Sequence, residues 1–235
     1  MKSKTIAILT LAAALMTPGT ALAGTWVDPY EDGKTWQYQR DDGTMEENAW
    51  VESGGKWYYI GDYGYMYRCM VTPDGYMVGV DGAWTGQMMS LESGMDSDRA
   101  EAYENILLSA QKLEDYTLFD LDKDGAPELF VRKGTSEADY TWHVYTYNGS
   151  RAVAAGSFHG GHGGLCVDSE GNLYKERAHM GVYGLQAVSW KAGRAVCSDD
   201  FTCMEEMADD YERVMAEYGV YGIGVYLEGD FTPFY

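Results

Sequence analysis

The sequence predicts a mixed fold: a short solenoid of small repeated units followed by a small α+β domain with a mainly antiparallel sheet and two helices. Three observations predict it. Aromatic and glycine residues recur at fixed offsets between Trp26 and Trp84, an amphipathic helical pattern begins near residue 98, and strand-like runs separated by turn residues fill most of the remainder. In the repeats, Trp36 is followed by Gly43 and Met45, and Trp57 by Gly64 and Met66 at the same offsets. Gly33-Lys34 and Gly55-Lys56 open these two units. A weaker third unit runs from Asp74-Gly75-Tyr76 to Asp81-Gly82-Ala83-Trp84. A period of about 20 residues is that of stacked supersecondary units, each burying its apolar face against its neighbours.

Residues 1–23 read as an export signal. Lys2 and Lys4 form a basic start, Ile6 to Met16 an apolar core, and Ala21-Leu22-Ala23 a cleavage site. The apolar stretch is too short to span a bilayer, and no cysteine follows the site for lipid attachment. No later stretch is apolar enough to cross a membrane. The expectation is a secreted chain beginning near Gly24. It has 37 acidic against 17 basic residues and a formal charge of −20, which loss of Lys2 and Lys4 takes to −22. Such a chain is repelled by nucleic acid and by anionic membranes, and its excess carboxylate favours divalent cations. Its tyrosine and tryptophan content argues against a disordered acidic tail. Of the four cysteines, Cys69 lies in the repeats and Cys166, Cys197 and Cys203 lie beyond them. A Cys197–Cys203 bridge and free thiols both fit, and the absence of C-x-x-C excludes a zinc ribbon or a thioredoxin-type motif.

The expected organisation is repeats over 24–86, a linker over 87–97 and the α+β domain over 98–235. Ala100, Tyr103, Ile106, Leu107 and Ala110 predict a helix over 98–113. Strands are expected at Tyr116–Asp120, Leu129–Arg132, Trp142–Tyr147, Ala152–Phe158, Leu173–Arg177 and Leu185–Trp190. Asn148-Gly149 is a hairpin turn signal; with Ser150 it also fits a glycosylation acceptor. Thr202 with Glu205 forms a capping box that predicts a second helix to about Tyr218, and a terminal strand is expected at Val225–Leu227.

The segment from Gly55-Lys56-Trp57-Tyr58-Tyr59 to Gly64-Tyr65-Met66 resembles the cell-wall-binding repeat of choline-binding and glucan-binding surface proteins, as do Gly33–Trp50 and Gly75–Trp84. The resemblance covers residues 24–86. It implies stacked β-hairpins whose aromatics cage the quaternary ammonium of teichoic-acid choline or form a platform for glycan. Ring faces suit a cation that has no hydrogen-bond donor, each contributing about 0.5–2 kcal/mol. Trp36, Trp50 and Tyr59 are the candidates for one cage, and Trp57 and Tyr76 for a second. The tryptophan matched by Trp50 in the first unit is Met70 in the next, and the spacing there is one residue shorter. The same aromatics also suit plain packing between short hairpins, so a ligand site and a spacer both remain open.

Beyond the repeats the sharpest motif is the D-x-D-x-D-G-x-x-E run from Asp120 to Glu128. Calcium takes six to eight oxygens. Asp120, Asp122 and Asp124 would supply side chains, Ala126 its carbonyl and Glu128 a closing carboxylate. Position 12 of an EF-hand would be Val131, and the flanks read as strands. The loop resembles the strand-flanked calcium loops of FG-GAP and related extracellular β domains. An acidic turn capping its own backbone is the alternative. The wider pattern over 98–190 resembles domains of secreted bacterial proteins that accompany such repeats, and it brings no catalytic residue with it.

All four histidines lie in the second half of the chain. His159 and His162 sit in a glycine-rich loop, and His179 follows. They suggest a transition-metal site, or a Cys166–His162 nucleophile pair oriented by His179 or Asp168. No H-E-x-x-H, G-x-S-x-G, P-loop or Rossmann fingerprint is present. The sequence therefore points to an exported, cell-wall-associated protein that holds out a calcium-stabilised domain. The alternative is a wall-targeted hydrolase built on Cys166, His159, His162 and His179.

Overall fold

The computed structural model describes residues 24–88, 95–136, 138–179, 182–206 and 211–227; the expected export signal and most of the expected linker lie outside them. The repeats begin with β1 (Gly24–Val27) and β2 (Gln37–Arg40), continue with β3 (Ala49–Ser53) and β4 (Lys56–Ile60), and end with β5 (Met70–Val71), β6 (Tyr76–Val78) and β7 (Trp84–Met88). Each neighbouring pair within a unit is antiparallel.

One turn recurs at three corresponding places, and Thr72 to Gly75 forms it once more. Gly43, Gly64 and Gly82 have φ of 85°, 74° and 75°. Each donates its N–H to the carbonyl three residues back, at Arg40, Gly61 and Gly79. Those same three residues donate to Thr44, Tyr65 and Ala83. A left-handed backbone costs an L-residue about 1–2 kcal/mol, so this turn selects glycine and explains its fixed offset. Between units, Trp26 meets both Tyr38 and Tyr58 edge-on at 5.1 Å, and Met66 N–H donates to Trp36 O at 2.7 Å.

The rest of the chain forms α1 (Ser97–Ser109), β8 (Leu113–Phe119), β9 (Glu128–Lys133), β10 (Thr141–Tyr147), β11 (Ala152–His159), β12 (Leu165–Asp168), β13 (Leu173–His179), β14 (Val182–Lys191), β15 (Arg194–Cys197), β16 (Thr202–Glu206), α2 (Tyr211–Glu217), β17 (Val220–Ile223) and β18 (Tyr226–Leu227). Asp96 caps α1 by accepting Arg99 N–H at 2.8 Å. A five-stranded sheet runs β11-β10-β9-β8-β18. Alternation sorts its side chains: Tyr116, Leu118, Leu129 and Val131 meet Ala100, Tyr103 and Leu107 of α1. From the same sheet, Phe119, Phe130, Trp142 and Val144 share a core with Leu165, Val167, Leu173 and Val188 of a second sheet. That nine-stranded sheet runs β15-β14-β13-β12-β17-β5-β6-β7, with β16 also on β14.

The second sheet includes the third repeat unit. β17 pairs parallel to β5 through Gly222–Met70 and Ile223–Val71, and Val71 and Met77 lie in the core shared by the two sheets. Hydrogen bonding therefore continues past the change in composition at 87–97. On its outer face, Val214 and Met215 of α2 pack with Cys69, Cys166, Tyr183 and Val220.

Several expected elements differ. The helix expected from Thr202 is instead β16, paired to β14 through Thr202–Leu185 and Cys203–Gly184. Phe201 lies against Gly184, where a Cβ would come within 2.3 Å of its ring, so tertiary pairing overrides the local capping box. Among the described residues, the second helix is Tyr211–Glu217. The short strands β12, β15 and β17 were not expected. The Asn148-Gly149 turn does join β10 to β11. Cys69, Cys166 and Cys197 are free thiols, so Cys197 is not bridged to Cys203.

Glu176, on β13, is buried in the interior. Its carboxyl accepts Gly164 N–H at 3.1 Å, with Cys166 and Tyr183 beside it. Burial pushes its pKa up to about 7. A carboxyl whose folded pKa is raised binds its proton more tightly in the folded state. Its stabilisation is complete below the ordinary value of 4.5 and is lost as pH rises to about 7. At about 1.4 kcal/mol per unit, the loss is about 3 kcal/mol. We expect chemical denaturation to show stability falling between pH 4.5 and 7, with Glu176→Gln removing about half of that slope and the rest coming from Glu128, whose carboxyl is raised likewise; an equally steep slope in the variant would refute the assignment. Because Val71 lies in the common core, Val71→Ala should cost about 2 kcal/mol. It should lower hydrogen-exchange protection in β12 and β13 as well as in the repeat. Loss confined to residues 70–88 would mean that the third unit folds apart from the sheet.

Candidate functional site

Half-buried and exposed aromatics of the second and third units converge at their joint. Trp50 on β3 and Tyr76 on β6 have ring centroids 5.7 Å apart and planes at 90°. Tyr76 and Trp84 on β7 repeat this geometry at 5.7 Å and 89°. Perpendicular rings in contact leave a corner bounded by two π-faces, a shape suited to a compact cation. Tyr59, paired with Trp50 across β3 and β4, stands 5.4 Å from it but is buried, backed by Tyr67 at 5.2 Å. Burial raises the Tyr59 hydroxyl well above its ordinary pKa, and that of Tyr67 to about 12. Tyr59 thus supports Trp50 from behind.

Of the five aromatic candidates, the structure brings together Trp50, Tyr59 and Tyr76. Trp36 and Trp57 make no ring contact among the described residues. The fourth ring, Trp84, was not among them. It occupies the place of Met45 and Met66, two residues after the turn glycine, and that offset is visible in the sequence. The hydrogen bonds of the joint are also built from the third unit. Trp50 Nε1–H donates to Asp74 Oδ2 at 2.8 Å, and Lys56 pairs with Asp81 at 2.9 Å.

A separate cleft of about 580 Å³ lies between the second unit and the sheet end near Gly164, Glu176 and Ile223. None of the four rings lines it. Its guanidinium groups are engaged, Arg132 by Asp115 and Arg68 by the Val80 carbonyl.

In the acidic loop, carboxylate oxygens of Asp120, Asp122 and Asp124 lie within 4.8 Å of one another. All three also hold the turn. Asp120 accepts from Asp124 N–H and Gly125 N–H, Asp122 from Asp124 N–H, and Asp124 from Ala126 N–H. Gly125 has φ of 90°. Asp122 and Asp124 each keep an oxygen outside these bonds. Glu128 opens β9 and is turned inward, 1% exposed, accepting Leu121 N–H at 2.9 Å and Thr146 Oγ1–H at 3.2 Å. Burial raises its pKa to about 7. The three aspartates therefore form a group that Glu128 does not join, and the loop is flanked by strands β8 and β9.

The nucleophile constellation does not assemble in these positions. Cys166 is fully buried, and burial together with Glu176 holds its thiol well above the ordinary pKa, opposite to activation. Asp168 is occupied by Glu170 N–H, Asn172 and Tyr174. His159 is exposed and hydrogen-bonds the Ala138 carbonyl at 3.2 Å, and His162 is exposed on its glycine loop. The His179 side chain lies outside the described residues. Among the described residues, no histidine joins a group of three metal-ligating side chains.

Comparison with curated proteins gives no match. Among solved structures, the choline-binding domain of Spr1274 in Streptococcus pneumoniae is 35% identical over 27% of this chain and 71% of its own, with a TM-score of 0.23. The multimodular pneumococcal cell wall endolysin from phage Cp-1, solved with choline, is 18% identical over 80% of this chain and 40% of its own, with a TM-score of 0.23. The modular autolysin LytC from Streptococcus pneumoniae is 20% identical over 76% and 33%, with a TM-score of 0.22. No helix among the described residues is long and apolar enough to cross a membrane. Residues 44–84, which carry Trp50, Tyr59, Tyr76 and Trp84, match the family of the choline-binding repeat.

Proposed function

We propose that this is an exported cell-surface protein whose three units form a short β-hairpin solenoid that associates with choline-bearing teichoic acid of a cell wall. The observation that carries the reading is the perpendicular set Trp50, Tyr76 and Trp84 inside the segment that matches the choline-binding repeat. A trimethylammonium group has no hydrogen to donate, so its recognition depends on ring faces and on nearby negative charge. One such corner binds weakly alone, and retention on a wall comes from many copies of ligand and protein.

The displayed α+β domain, on this reading, is stabilised by calcium at Asp120, Asp122 and Asp124, with the Ala126 carbonyl as a further donor. The proximity of three carboxylates supports it, since a hard cation relieves their mutual repulsion. Glu128 is engaged with Leu121 and Thr146, so it braces the loop.

The intact protein should be retained on choline-derivatised resin and released by free choline. Trp50→Ala and Tyr76→Ala should each weaken retention about 3- to 30-fold, as expected for loss of one ring face, while Trp36→Ala leaves it unchanged. Retention on purified wall glycan but not on choline resin would redirect the site to sugar. Retention on neither, with native circular dichroism, would remove the adhesive role. For the loop, millimolar calcium should raise the thermal midpoint by several degrees in wild type and leave Asp122→Asn unmoved. An unchanged wild-type midpoint would leave the loop as an acidic turn.

A further inference from the structure

We propose that Asp74 makes the aromatic corner selective for a cation over a neutral group of the same shape; the proposal rests on the reading of that corner as a choline site. Asp74 lies in the turn between β5 and β6, where Gly75 N–H donates to Thr72 O at 2.8 Å. One of its oxygens accepts the indole N–H of Trp50 at 2.8 Å, across the joint between the second and third units. The other accepts Thr72 Oγ1–H at 2.5 Å. Thr72 is fully buried, and its hydroxyl oxygen also accepts Tyr76 N–H at 3.0 Å. A single turn thus holds both perpendicular rings, Trp50 through Asp74 and Tyr76 through Thr72.

A carboxylate on an indole N–H has two separable effects. The charge-assisted hydrogen bond fixes the ring plane, which helps any ligand that fits the corner. The negative charge at the ring edge also raises the attraction of the indole face for a cation and adds a direct Coulomb attraction, and neither reaches a neutral ligand. The charge is uncancelled: among the described residues no lysine or arginine pairs with Asp74, and Lys56 is paired with Asp81 instead.

The joint between the first and second units supplies an internal comparison. There Trp26 donates its indole N–H to the next hairpin turn in the same way, but the acceptor is the neutral hydroxyl of Ser53, at 3.1 Å. Trp26 is closed in by Tyr38 and Tyr58. The same contact has a neutral acceptor where the rings pack on each other and a charged one where they open a corner.

Tryptophan fluorescence titration of the full-length protein, with choline and with its uncharged carbon isostere 3,3-dimethyl-1-butanol, tests this. Wild type should prefer choline about tenfold or more. Asp74→Asn, which keeps an acceptor for the indole, should weaken choline about fivefold, or about 1 kcal/mol. The isostere should stay within twofold. Asp74→Ser, which installs the acceptor type of the first joint, should behave likewise. Added salt should weaken choline binding in wild type and have less effect in both variants. An equal loss for both ligands would reduce Asp74 to a structural strut, and unchanged choline affinity would remove it altogether; either overturns the proposal. Wild type binding neither ligand would instead overturn the choline reading itself.

Discussion

The constraint on which the rest depends is the short parallel joint between β5 and β17. Only Gly222–Met70 and Ile223–Val71 are paired, but the pairing places Val71 and Met77 in the core between the two sheets. It also holds Cys69, whose thiol donates to the Glu212 carbonyl at 3.1 Å, against α2. The turn from Thr72 to Gly75 leaves directly from this joint. The residues that orient Trp50 and Tyr76 are thus fixed by the sheet of the C-terminal half as well as by the repeat. Any ligand at the corner is held at a set orientation to that half.

The repeats were legible because their turn needs left-handed backbone, and Gly43 and Gly64 mark it at the same offset from Trp36 and Trp57, while Gly82 marks it in the shorter third unit. The helix at 97–109 and strands β8 to β11 were legible because one face of each is apolar at the right period. β12, β15 and β17 have four residues each, too few to show a period, and β5 has two. β16 shows the opposite failure: Thr202 and Glu205 make a sound local helix start, and pairing with β14 outweighs it. Long-range pairing of this kind leaves no trace in a local window.

The site was legible in part for similar reasons. Period fixed which residues are aromatic but not which end of each hairpin meets the next. Trp57 pairs with Glu52, two positions from the Trp50–Tyr59 pair, and about 7 Å along a strand is enough to miss the joint. Trp84 was hidden by the weakness of the third unit, although it stands where Met45 and Met66 do. In the acidic loop, spacing gave positions without direction. Asp120, Asp122 and Asp124 face one another across the turn, whereas Glu128 begins a strand and is carried inward by its alternation.

On the proposed reading, a chain of charge −20 would meet a phosphate-bearing wall polymer, and the local geometry resolves that apparent contradiction. At physiological ionic strength, exposed charges act over about 8 Å. Net charge therefore opposes approach of the polymer's phosphates without strengthening the grip on one ammonium group. That grip would depend on a carboxylate inside the screening distance, held against a ring of the proposed corner. Asp74 meets this condition because Thr72 and Trp50 hold it from both sides of a unit joint. Global repulsion and local attraction then act on different parts of the same ligand. On the proposed reading, the corner would take the cationic head and the acidic surface would keep the backbone of the polymer away. Such an arrangement favours ligands whose ammonium group stands off from the phosphate chain on a spacer.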